Sequence, residues 1–98
     1  VMLLKLDSGT LVKNAQGTGD DEPAGAGSWK QFYEERHPWP KTCRIYRCVK
    51  DATAGAHVEI EGLYREWIIP MCTYHNHPSN EEWMRVNQGT IAILEVER

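Results

Sequence analysis

All three cysteines of this chain fall between positions 43 and 72, in patterns that suit a metal ion. Cys43 and Cys48 form one short-spaced pair, Cys-x4-Cys. Cys72 and His75 form a second, Cys-x2-His, after the apolar run Ile68-Ile69-Pro70-Met71. Thiolate sulfur and neutral imidazole nitrogen are the donors zinc prefers, and two of them a few residues apart can bracket one ion from a single tight turn. Two such pairs from separate segments would close a tetrahedral site and tie those segments together. The competing reading is that the cysteines are small buried hydrophobes, as free cysteine often is. Their turn-like spacing beside charged residues, outside the apolar runs, favours zinc. Four protein donors leave no position for water, so the expected role is structural. His57 is a fifth candidate ligand.

A staple matters because 98 residues make one domain with a modest core. An odd cysteine count argues against a secreted disulfide framework and for a reducing cytoplasm. No apolar run reaches membrane-spanning length and no signal peptide is visible. The net charge of -3 fits neither a basic nucleic-acid coat nor an acidic tail. Locally the balance is uneven. Arg44, Arg47 and Lys50 gather around the first cysteine pair, where they would offset thiolate charge. They are also the candidate contacts to nucleic acid, although such a small patch is commonly just a solvated face.

Residues 2–6 and 10–13 flank Asp7-Ser8-Gly9, the pattern of a hairpin. Residues 17–28 are rich in Gly, Ala, Asp and Pro and read as a flexible loop. Ser28 can cap a helix over residues 28–35, with Trp29, Phe32 and Tyr33 on one face. The His37-Pro38-Trp39-Pro40 segment ends it, since each proline disfavours helical geometry in the residue before. Residues 56–60 and 67–71 read as strands joined by a turn. Residues 81–85 read as a helical turn capped by Ser79 or Asn80. Residues 90–96 read as a strand with Ile91 and Ile93 on one face and Ala92 and Leu94 on the other. Of the tryptophans, read mainly as core anchors, Trp39 between its two prolines is the best candidate for exposure. The fold expected is a single small α+β domain over residues 1–98: an antiparallel sheet of four or five strands, one helix, and a central pair of zinc knuckles.

The order of these features has a known counterpart. A cysteine pair, Gly55-Ala56-His57-Val58 at a strand start, a hairpin and then Ile68-Ile69-Pro70-Met71-Cys72 with His75-Asn76 resembles the zinc-stapled HNH (ββα-metal, treble-clef) nuclease group. The segment is also similar to uncharacterised small bacterial or phage zinc proteins with a Gly-Ala-His-Val and Ile-Ile-Pro-x-Cys pattern. The resemblance covers residues 43–83. It implies a hairpin followed by a helix, and structural zinc on Cys43, Cys48, Cys72 and His75. It implies further that His57 is a general base and that Asn76, or His77 one residue on, contacts a catalytic Mg²⁺ or another divalent ion. Ala56 stands where the group often carries an Asp or His ligand, and it offers no oxygen to a hard cation.

The favoured expectation is therefore a non-catalytic module with a structural zinc, recognising nucleic acid or a protein. An HNH-type nuclease with His57 as base is the alternative. A phage or mobile-element inhibitor of a host protein, using its acidic surface as a nucleic-acid mimic, is the second alternative.

Overall fold

The computed structural model describes residues 2–15 and 28–95. Among them a single antiparallel sheet carries the fold. Its strands are β1 (Leu3–Leu6), β2 (Leu11–Asn14), β3 (Ala54–Ile60), β4 (Trp67–Met71), β5 (Met84–Arg85) and β6 (Thr90–Leu94). One helix, α1 (Trp29–Glu34), precedes β3. The sheet order is β1-β6-β4-β3-β2-β5, six strands where the sequence suggested four or five. No helix of the described residues is long and apolar enough to cross a membrane.

The Asp7-Ser8-Gly9 turn forms as expected, with Thr10 N–H donating to Asp7 at 3.1 Å and Gly9 at φ 88°. The hairpin does not. β1 pairs with β6 and β2 pairs with β3. The segment after β5 takes the hydrogen bonds a hairpin would have used: Gly9 N–H donates to Val86, Val86 N–H to Thr10, and Gly89 N–H to Leu6. A flat sheet would set β1 and β2 four strand spacings apart, roughly 19 Å. The connection from Leu6 to Leu11 spans at most about 17 Å. The sheet must therefore curl, and it closes toward a barrel.

Alternation along each strand divides the apolar residues between two faces. Inside the curl, Val12, Val58, Ile69, Met71 and Ala92 are all but fully buried. On the outer face, Ile68 and Ile93 pack with Phe32 and Tyr33 of α1. Ile91 and Ile93 thus face the helix while Ala92 and Leu94 face the interior, as the strand pattern predicted. Val96 and residues 16–27 of the predicted loop lie outside the described residues.

Ser28 caps α1, its hydroxyl accepting the Gln31 amide at 3.0 Å. The helix start sits hard against β3. A Cβ on Gly55 would come within 2.6 Å of the Trp29 backbone, so only glycine permits this approach. Pro70, its register partner on β4, is also tolerated for a local reason. Its carbonyl accepts from Arg44 N–H, so its nitrogen likewise faces away from β3, on the side where β6 pairs only with Trp67 and Ile68.

Three further expectations are corrected. Residues 81–85 form no helical turn. The Asn80 side chain accepts the Glu82 amide at 3.1 Å, an Asx turn that leads into the extended residues of β5. The helix that the ββα arrangement would set after the β3–β4 hairpin is not found there, since residues 72–83 run as turns and irregular backbone. Trp39 is partly buried against the α1 cluster, its indole N–H donating to Ala52 at 2.9 Å, and Trp83 is the exposed tryptophan.

The buried Tyr33 gives the fold a pH limit. Its hydroxyl donates to Ile91 at 2.8 Å. Burial pushes the phenol up to about 12, against a weaker pull from Arg44. An acid whose folded pKa exceeds its unfolded value near 10 contributes stability that is full below pH 10 and lost as pH climbs toward 12. Two units correspond to about 3 kcal/mol at most. The melting temperature of wild type should fall between pH 10 and 12 by more than that of Tyr33→Phe. Parallel falls in the two proteins would count against this account.

Candidate metal centre

The first knuckle is built on a small loop that folds back on itself. Cys43 N–H donates to Lys50, and Cys48 N–H donates to Ile45, both at 2.9 Å. Arg47 completes the turn at φ 64°, a left-handed conformation that costs a non-glycine residue about 1–2 kcal/mol. The side chain of Asn87 accepts its amide at 3.3 Å. Tyr46 N–H donates to Arg85 and Asn87 N–H to Arg44, which fastens the loop to β5.

The second knuckle leaves the end of β4. Asn76 N–H closes a turn onto the Cys72 carbonyl at 3.0 Å, and His75 N–H points at the Cys72 sulfur at 3.4 Å. The His75 carbonyl is gripped by two side-chain amides, Asn14 Nδ2 at 2.7 Å and Asn80 Nδ2 at 2.8 Å. Asn14 comes from β2 and is 6% exposed. Asn80 holds the knuckle from five residues downstream, and Asn14 holds it from the far end of the chain. No spacing rule could have found them.

The four predicted ligands meet. Their donor atoms all lie within 4.8 Å of one another. Cys72 Sγ is 3.3 Å from His75 Nδ1, Cys43 Sγ is 3.7 Å from the same nitrogen, and Cys48 Sγ is 3.9 Å from Cys72 Sγ. Zinc–sulfur and zinc–nitrogen bonds of about 2.3 and 2.0 Å imply tetrahedron edges of roughly 3.5–3.8 Å. The observed separations match those edges, and all three cysteines are free thiols.

Burial and local hydrogen bonds move the titration of three of the four residues. Burial pushes Cys43 up to about 12, although the amides of Ile45 and Cys72 pull it back. Burial also acts to raise Cys72, but the His75 amide, the Cys43 and Cys48 sulfurs and the Tyr74 amide outweigh it and hold that thiol below its ordinary value. Burial lowers His75, helped by the charge of Lys50, which keeps the imidazole in its neutral, ligating form.

The remaining predicted residues separate. His57 is 8% exposed and faces Ile68 across the β3–β4 pair, its ring edge-on to Trp29 at 4.4 Å. Asn76 stays in the second knuckle. Arg44 lines a cavity of about 260 Å³ with Tyr33, His37, Trp39 and Ile91. Arg47 instead lies over the Tyr46 ring at 5.2 Å. Lys50 acts on His75 through its charge. The carboxylates Glu66 and Glu95, which sequence reasoning passed over, group with His57.

No family model matches the chain, and no curated protein or solved structure is detectably similar to it.

Proposed function

We propose that this chain is a small zinc-binding module whose zinc is structural and which works by recognising nucleic acid. The convergence of Cys43, Cys48, Cys72 and His75 within 4.8 Å carries the metal assignment. Three thiolates and one imidazole suit zinc, and four protein donors leave no open coordination position. When bound, the ion would neutralise the buried thiolates and fasten the knuckle at β5 to the knuckle at the end of β4. Against a hydrolytic centre weighs the position of His57, which sits opposite Ile68 on β4, four residues before Cys72 and its knuckle.

The outer face of β2 and β5 favours nucleic acid as the partner. Val12 and Met84 pair and point inward, so their neighbours point out. Lys13 lies over Trp83 at 5.2 Å, while Arg85 and Arg47 flank Tyr46 at 5.1 and 5.2 Å. Trp83 and Tyr46 remain 44% and 39% exposed. Cations resting on part-exposed aromatic rings suit a single strand, whose bases can displace them to stack while its phosphates pair with them. Glu59, the register partner of Lys13 on β3, marks the limit of the stripe.

Fluorescence anisotropy with a labelled single-stranded DNA oligonucleotide tests the reading. Tyr46→Ala should weaken binding by roughly 5- to 150-fold, the range of one lost stacking contact. Neutralising about three phosphates predicts a slope of log affinity against log salt near -2. Binding that ignores salt and Tyr46 would exclude this surface, and absence of binding would direct the search to a protein partner. A plasmid-nicking assay with Mg²⁺ or Mn²⁺ beside His57→Ala checks the nuclease alternative. Nicking lost in that variant would overturn the non-catalytic reading.

A further inference from the structure

We propose that His57, Glu66 and Glu95 form a second divalent-metal site, separate from the cysteine cluster. One ligand atom from each residue lies within 4.8 Å of the other two. The sheet produces this grouping by register. Trp67 pairs with Leu94, and Glu95 N–H donates to the Glu66 carbonyl at 3.1 Å, so the next pair along is Glu66 against Glu95. Their side chains emerge on the face that also carries Ile68 and Ile93, since both alternate with the inward Trp67 and Leu94. His57 faces Ile68 on the adjoining strand β3, which brings its ring to the same face.

A cation placed between two carboxylates opposed across a strand pair can take both of them as ligands. The third donor is well prepared for the role. His57 is 8% exposed and its ring rests edge-on against Trp29 at 4.4 Å, where packing restricts its orientation. Glu66 and Glu95 are half-buried, and so less screened than a surface acid pair.

Donor chemistry sets the ion class. An imidazole with two carboxylates suits first-row divalent ions such as Zn²⁺, Mn²⁺ or Fe²⁺, whereas Mg²⁺ and Ca²⁺ favour all-oxygen sites. Three protein donors leave coordination positions for water or for an oxygen ligand brought by another molecule. Glu66 precedes β4 and Cys72 follows it, six residues further on, which at 3.3 Å per residue sets the two sites about 20 Å apart.

Cobalt distinguishes the sites by colour. Titration of metal-stripped protein with Co²⁺, whose first equivalent refolds the chain, should show two equivalents. One gives thiolate-to-cobalt charge-transfer absorption and the other only weak visible bands. The Glu66→Gln/Glu95→Gln protein should lose the second at least tenfold in affinity and keep the first. A single equivalent with thiolate absorption would overturn this proposal and leave the cysteine site intact. A second equivalent that survives the double substitution would overturn it equally, as an adventitious ion only. Lack of thiolate absorption would defeat the structural-zinc reading independently. Mn²⁺ added to unaltered protein that holds a single zinc per chain provides a check that needs no variant. It should broaden the Trp29 and Ile68 proton resonances selectively, and their persistence would sink the site.

Discussion

Stripping the metal from this protein with a strong chelator is expected to unfold it at 25 °C. Structural zinc in small fingers contributes an apparent 10–16 kcal/mol near neutral pH, and a whole domain is commonly stable by only 5–15 kcal/mol. Cys43 and Cys72 are 0% and 2% exposed, and without an ion these two buried thiols crowd against the part-buried Cys48 and His75. β5 has only two residues, and its neighbourhood is held partly by the first knuckle. Protein purified without added metal should contain about one zinc per chain, or up to two if the His57 site is filled as well. Chelation should abolish the cooperative melt, and zinc should restore it. Cys72→Ser should behave as the chelated protein does, since losing one ligand removes most of the affinity. A thermal melt that chelator leaves unchanged would refute the structural role of the metal.

Ile68→Ala should produce the largest loss of stability outside the metal centre, about 2–5 kcal/mol. Ile68 is fully buried, paired with His57 on one side and Ile93 on the other, and capped by Phe32 and Tyr33 of α1. No neighbour is free to collapse into the vacated volume without moving α1, which already touches β3 at Gly55. For a domain of this size the melting temperature should drop by about 10 °C or more. The variant should nevertheless retain zinc on its cysteines, because its lost packing lies on the helix face while Cys43 and Cys72 pack with the interior cluster. A drop of under about 2 °C, or loss of the cysteine-bound zinc in protein that stays folded, would contradict that division.

The Cys/His cluster was legible in the sequence because its chemistry and spacing are local: each knuckle is one tight turn. The α1 cap at Ser28 and the alternation of β6 were legible for the same reason. Strand pairing was not. The Asp7-Ser8-Gly9 turn says where the chain bends, but the partner of β1 is decided by Ile91 and Ile93 far along the chain. Nor does β5 carry a strand signal of its own, since Met84–Arg85 is too short for periodicity and is extended because β2 accepts it. Glu66 and Glu95 look like ordinary strand-end acids until register sets them side by side. Asn14 likewise looks like a strand-end polar residue until it reaches the His75 carbonyl.

The pairing of β1 with β6 carries a kinetic consequence. Leu3 lies across from Ile93, so the contact forms only when nearly the whole described chain has been gathered in. Such sequence-distant pairing raises contact order and slows folding. The β3–β4 hairpin and the two knuckles close much shorter loops, and they form a nucleus that can assemble first. Zinc present from the start of refolding should therefore accelerate it, and the refolding rate should rise with zinc concentration.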